Sequence, residues 1–285
     1  DFCLSRGLGD VYKRQVQHDG THTALTSLAD TPLVSPNVRI TTVGSRNIPV
    51  AIVTPRDGGT GPLPVLCDPY GGPHAQRVVA SRAAYLSSQW FADQGFVVVI
   101  TDNVGTPGKG SAWERGVHND LAAPVLADQL EVLDALPDLE PRADISRVGI
   151  RGWSFGGYLA ALAVIRRSDR FHAAIAGAPV TDWGLYDTHY TERYLGHPDQ
   201  NPSAYSSTSL LTDVSQLSRP LLLVHGLADD NVVAAHTLQL SSVLLAAGKT
   251  HEVLPLSGVT HMTPQEEVAE NLLLHQLAFL QRHLT

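Results

Sequence analysis

Cysteine is scarce in this sequence of 285 residues: Cys3 and Cys67 are the two present. Two thiols cannot build a disulfide framework, and no Cys-x-x-Cys pair points to zinc or redox chemistry. Cys67 lies in an apolar run, where a small core residue is expected, and the low usage favours a reducing, cytoplasmic setting. Basic charge is short as well. Twenty lysines and arginines stand against 28 aspartates and glutamates, a formal net charge of −8, which removes the electrostatic case for nucleic acid or an anionic membrane. No apolar run reaches the ~18 residues needed to span a bilayer. The longest, such as Pro220-Leu221-Leu222-Leu223-Val224, have the length of buried strands. Histidine is not scarce, at 13 residues, but His18 and His22 lack a carboxylate or third ligand at metal-site spacing. Neither a metal nor a cofactor is expected.

What remains is the profile of a globular domain, with 43% hydrophobic and 17% charged residues and length enough for one large α/β unit. Residues 1–15 stand apart. They follow neither the helical nor the strand period, lack the apolar centre of a secretory signal, and are expected to be dispensable or disordered; the domain proper is placed at 16–285. Val38–Val43 and Ile48–Val53 flank Gly44-Ser45-Arg46-Asn47 as a hairpin. Further strands are read at Pro64–Cys67, Phe96–Ile100, Arg147–Ile150, Ala173–Ala176, Leu221–Val224 and His251–Leu254. The later ones are apolar almost throughout, as parallel strands covered on both faces should be. Helices are read at Ala83–Gln94, Leu121–Ala135, Gly157–Arg166, Ala234–Ala247 and Pro264–His283. The alternation predicts an α/β fold with a mostly parallel sheet of about eight strands and helices on both faces.

Gly152-Trp153-Ser154-Phe155-Gly156 is a Gly-x-Ser-x-Gly motif, which chance alone produces in roughly one chain of this length in ten. Its context is what counts. A strand ends just before it, on the expected fifth strand, and a helix starts just after, the strand-turn-helix of a nucleophile elbow in an α/β-hydrolase fold. The glycines let the backbone close round a strained serine, and the helix dipole favours negative charge at Ser154. A serine nucleophile needs a base and an orienting acid, which in this fold follow in the order acid, then histidine. Asp229 and Asp230 follow an apolar strand directly, and His261 sits in the loop after the last strand. Only one of the two adjacent acids can face the histidine, with a slight preference for the earlier. His225, closing a strand, reads as a structural histidine.

Four ordered segments resemble the prolyl oligopeptidase family of serine peptidases, and its dipeptidyl-peptidase IV branch most closely. They are Gly152-Trp153-Ser154-Phe155-Gly156-Gly157-Tyr158, Ala178-Pro179-Val180-Thr181-Asp182-Trp183, Tyr190-Thr191-Glu192-Arg193-Tyr194-Leu195-Gly196 and His225-Gly226-Leu227-Ala228-Asp229-Asp230-Asn231-Val232. The resemblance runs from about Val38 to the C-terminus and implies cleavage of peptides after proline. It selects Asp229 as the triad acid. It makes the Tyr70 hydroxyl, in Asp68-Pro69-Tyr70-Gly71-Gly72-Pro73, and the Phe155 N–H the two oxyanion donors. It places Phe155, Val180, Trp183, Tyr186, Tyr190 and Val232 round a proline pocket, with Asn231 on the substrate backbone. Spacing alone also allows Trp183, Tyr186 and Tyr190 to be one face of a core helix. Two departures stand out. Val104, in Asp102-Asn103-Val104-Gly105, occupies a position where the family usually has arginine, and no β-propeller of the family precedes the hydrolase portion. A homodimer is implied only by resemblance. An acylaminoacyl-peptidase, a carboxylesterase and an inactive binding module are the competing expectations.

Overall fold

The computed structural model describes residues 14–26, 34–59 and 61–285. Most of the 1–15 segment, and Cys3 with it, lies outside that range; Arg14 and Gln15 begin a short strand. Strands β1 (Arg14–Val16) and β2 (His22–Ala24) pair as a separate antiparallel ribbon. The main sheet then takes β3 (Val38–Val43), β4 (Ile48–Val53) and β5 (Leu63–Cys67), followed by helix α1 (Leu86–Asp93) and β6 (Val97–Thr101). Helices α2 (Ser111–Glu114) and α3 (Ala123–Leu139) lead to β7 (Ala143–Trp153), α4 (Phe155–Arg166) and β8 (Ala173–Gly177). After α5 (Thr188–Leu195) and α6 (Pro202–Thr208) come β9 (Leu221–Gly226), α7 (Ala235–Ala246), β10 (Glu252–Leu256) and α8 (Glu266–Leu284).

The eight strands lie in the order β10-β9-β8-β7-β5-β6-β4-β3. The two pairings that involve β4 are antiparallel and the other five are parallel. This is the expected mostly parallel α/β-hydrolase sheet, and β7, its fifth strand along the chain, runs into Ser154. Side chains alternate across it, as the pleat demands. Val97 and Val99 enter one core with α3, α4 and α7, whereas Val98 and Ile100 enter another with α1 and α8. Every residue from Phe155 to Ile165 of α4 is buried, so the helix that follows Ser154 is a fixed part of the core. Cys67 is buried in the same core, as its apolar setting predicts. Helix α3 runs past the expected end at Ala135 to Leu139 and carries Pro137 in its last turn, which removes one N–H from the helical ladder. Among the described residues no helix is long and apolar enough to cross a membrane.

Buried His236, together with buried His225, makes the fold sensitive to acid. His236 on α7 accepts the Thr181 N–H on Nδ1 at 3.1 Å, so that nitrogen carries no proton. Burial first, and then the neighbouring His225, push its pKa down to about 4. A histidine whose folded value lies below its unfolded value binds protons better when unfolded. Its contribution is therefore complete above pH 6.5 and is lost as the pH falls towards 4, a total of about 3 kcal/mol. His236→Asn keeps an acceptor for Thr181 and removes the titration, so its urea midpoint should fall less between pH 7 and 4 than that of the wild type. Burial raises the carboxyls of Asp102 and Asp128 and acts in the opposite direction, but equally in both proteins. Parallel pH profiles would refute the assignment.

Candidate active site

Ser154 sits between β7 and α4 at φ 60° and ψ −118°, a region costly for a residue with a Cβ. Its surroundings hold it there. The Ser154 N–H donates to Gly177 O at 2.8 Å, and its carbonyl accepts the Tyr158 N–H at 2.9 Å. The tight turn needs bare backbone on either side: a Cβ on Gly152 would lie 2.2 Å from Gly156 O, and one on Gly157 would lie 2.2 Å from Gly177 O. The α4 N-terminus has no side-chain cap, which leaves its N–H groups and dipole directed at the space before the serine.

Two loops at the carboxyl ends of β9 and β10 meet beside this turn. They can approach closely because Gly226 has no Cβ, which would lie 2.4 Å from Val259 O, and they are stitched by Leu227 N–H to Leu256 O and Ala228 N–H to Val259 O. The result brings His261 Nδ1 to 2.8 Å from Asp229 Oδ2. The other oxygen of buried Asp229 accepts the N–H groups of Asn231 and Val232 at 3.0 and 2.9 Å. Asp230, its neighbour, is exposed. Trp153, immediately before Ser154, donates its indole N–H to the His261 carbonyl at 2.7 Å. The serine turn and the histidine loop are thereby tied directly, a link the sequence did not announce. His225 is structural: Nε2–H donates to Val232 O and Nδ1 accepts from the Thr237 hydroxyl, both at 2.7 Å. Burial holds its pKa down, so it stays neutral.

The Tyr70 loop lies across the start of α4, where a Cβ on Gly156 would meet Pro69 O at 2.7 Å and Tyr70 Cα at 3.4 Å. Burial pushes the Tyr70 phenol up to about 12, which keeps it a proton-bearing donor at neutral pH. At the foot of the loop, buried Asp68 accepts from Ser88 Oγ at 3.0 Å and from Arg77 at 3.2 Å. An unbroken set of rings runs from Tyr70 to Phe155 (6.1 Å between centroids), to Trp183 (5.7 Å) and to Tyr190, which lies parallel to Trp183 at 5.9 Å. Tyr186 stands edge-on to both Trp183 and Tyr190, and its hydroxyl donates to Asn231 Oδ1 at 3.2 Å. Val180 and Val232 are buried in the same core as Phe155 and Trp183. No single helix carries the three aromatics: Trp183 opens a one-turn 3₁₀ segment and Tyr190 lies on α5, which Asp187 caps through the Tyr190 N–H.

A cavity of about 350 Å³ opens beside them, lined by Tyr70 and Tyr190 together with His74, Asp187, His189 and Arg193. The last four were not singled out as site residues from the sequence, although Arg193 falls inside the Tyr190–Gly196 segment. Val104 is buried where the resemblance calls for arginine, and its N–H donates to Asp128 at 2.8 Å. Asp128 also pairs with Arg46 of the β3–β4 hairpin. Among the described residues no group of three histidines, cysteines or acids is arranged to hold a metal.

Comparison with known proteins agrees with this fold. The model of the prolyl oligopeptidase family matches residues 83–285. Dipeptidyl peptidase 8 of mouse is 42% identical over 221 residues, covering 75% of this chain and 25% of its own length; the human protein gives the same identity. The chain thus spans about a quarter of the curated relatives it matches. Among solved structures, a putative dipeptidyl aminopeptidase IV from Bacteroides ovatus superposes with a TM-score of 0.90 at 27% identity, covering 96% of this chain and 40% of that one. Dipeptidyl peptidase 4 of Porphyromonas gingivalis gives a TM-score of 0.81 at 32% identity, covering 87% and 35%. The fold, the strained serine and the matched sequence together make this chain a member of the prolyl oligopeptidase family.

Proposed function

We propose that the chain is the catalytic domain of a serine peptidase that cleaves after proline, releasing dipeptides. The observation that carries this reading is the bonded Asp229–His261 pair, tied through Trp153 to the turn that strains Ser154. His261 Nε2 takes the Ser154 proton as Oγ attacks the substrate carbonyl, and Asp229 stabilises the imidazolium. The Tyr70 hydroxyl and the Phe155 N–H stabilise the oxyanion. The proton passes to the leaving amine, and water then releases the acyl group by the same steps. Phe155, Val180, Trp183, Tyr186, Tyr190 and Val232 offer apolar faces to a pyrrolidine ring, and Asn231 bonds the substrate backbone. The Tyr190 hydroxyl is buried with no hydrogen-bond partner among the described residues, a polar group that a bound substrate would satisfy.

The test is a panel of Gly-Pro, acetyl-Ala and simple ester substrates. Gly-Pro amide should give the largest kcat/KM. Preference for acetyl-Ala points instead to an acylaminoacyl-peptidase, and hydrolysis of the ester alone to a carboxylesterase. A chain that fails even active-site titration is a binding module.

The share of its relatives that the chain spans supports a catalytic domain over 16–285, joined in the full-length protein to an N-terminal β-propeller. Cysteine usage, with Cys67 buried and free, supports a cytoplasmic location. We also infer a homodimer built on the β10 edge. Leu238 and Leu245 of α7, Val253 of β10 and Leu274 of α8 are exposed apolar residues near that edge. Leu245→Glu should shift a sedimenting dimer to monomer; an unchanged sedimentation coefficient removes this face from the interface.

A further inference from the structure

The loop that carries Tyr70 is held by a side chain with no part in the proposed chemistry. Asn103, just beyond β6, is fully buried. Its Nδ2 donates to Gly71 O at 2.6 Å and to Val104 O at 2.8 Å. Two carbonyls on one side fix the amide with its nitrogen towards them. Oδ1 then faces α3, where Gln129 Nε2 donates to it at 2.8 Å. The backbone of Asn103 is pinned in turn, its carbonyl accepting from the Thr106 hydroxyl at 2.8 Å and from Trp113 Nε1 at 3.1 Å.

Gly71 is where this hold matters. It follows Tyr70 directly and has φ +75°, a conformation that glycine enters and leaves at little cost. A Cβ there would meet Leu159 at 2.5 Å and Asn103 Oδ1 at 2.8 Å, so no bulkier residue can stiffen the position. The peptide must be held from outside. At the start of the loop Asp68 is clamped by Arg77 and Ser88, and beyond Tyr70 the Asn103 amide grips the Gly71 carbonyl.

We propose that Asn103, oriented by Gln129, is a positioning residue that fixes the Tyr70 hydroxyl where the oxyanion develops. The proposal rests on the reading of Tyr70 as an oxyanion donor. A donor displaced by a fraction of an ångström loses much of its effect, because the stabilisation depends on a preset geometry.

Asn103→Asp keeps the shape but turns an acceptor towards two carbonyls; Gln129→Leu removes the group that orients the amide and serves if the first variant folds poorly. For Asn103→Asp, kcat on Gly-Pro amide should fall about tenfold with KM within about twofold, as expected when a transition-state contact is lost. Affinity for a boronate inhibitor should fall by the same factor. Gln129→Leu should show the same pattern, more weakly. In a Tyr70→Phe background either change should cost less than about twofold more, since the group it positions is gone. Full additivity with Tyr70→Phe, or a loss confined to KM, overturns the proposal. If the wild type neither turns over substrate nor takes a fluorophosphonate at Ser154, the peptidase reading fails by itself. The ¹³Cζ resonance of Tyr70, assigned by its loss in Tyr70→Phe, then decides on Asn103: it should shift in Asn103→Asp, and an unmoved signal overturns the positioning role.

Discussion

Ser154→Ala should lose all fluorophosphonate labelling, and its turnover of Gly-Pro amide should fall by about 10⁶-fold, the scale for removing a serine nucleophile. The change should leave the fold intact. The side chain makes no capping bond to α4, and the strained backbone is held by the Gly177 carbonyl and the Tyr158 N–H, which do not involve Oγ. Alanine carries the same Cβ at φ 60° as serine does, so the turn suffers no new clash. Matching thermal melts alongside abolished labelling therefore isolate the chemistry. Labelling that persists in the variant at the wild-type rate would remove Ser154 from the mechanism and every role assigned round it.

The sequence exposed this site as far as chemistry and chain order are local. Gly152, Gly156 and Gly157 stand within three residues of Ser154, so the turn they permit could be read directly. Asp229 follows an apolar strand and His261 the last strand, and the rule that α/β sites gather at carboxyl ends placed them together. The hairpin Val38–Val43/Ile48–Val53 was legible for a similar reason, since its turn residues lie between two alternating runs. What stayed hidden depends on contacts between distant segments. Trp153 reaches His261 across 108 positions, and Arg46 reaches Asp128 across 82. Neither pair has a local signature. The same applies to Asp187 and Arg193, which line a cavity only because α5 folds back beside Tyr70. The aromatic spacing left a helix face open as an alternative to the pocket, and the structure removes it: the Asp187 cap starts α5 afresh after the Trp183 turn. The absence of arginine at Val104 could be read from the sequence, but the contacts of the position, an N–H to Asp128 and a side chain in the core, could not.

Asp229→Asn should leave the protein folded and cost about 10⁴-fold in kcat, the scale seen when a triad acid is made neutral without change of shape. The direction follows from the bonds of this carboxylate. Oδ1 accepts two backbone N–H groups, from Asn231 and Val232, and of the two amide atoms of asparagine only the oxygen can take that place. The nitrogen is then forced into the position of Oδ2, 2.8 Å from His261 Nδ1. There it donates, so Nδ1 must give up its proton and become an acceptor. The imidazole proton moves to Nε2, and the lone pair that should receive the Ser154 proton is occupied. A negative charge beside the imidazolium is lost as well. The loss should thus appear in kcat and hardly in KM, because the substrate still meets the same pocket. High pH restores attack without a general base, so activity of the variant should climb with hydroxide where the wild type has levelled off. A variant that keeps more than a tenth of wild-type kcat near neutral pH would show that the Asp229–His261 bond orients nothing the reaction needs.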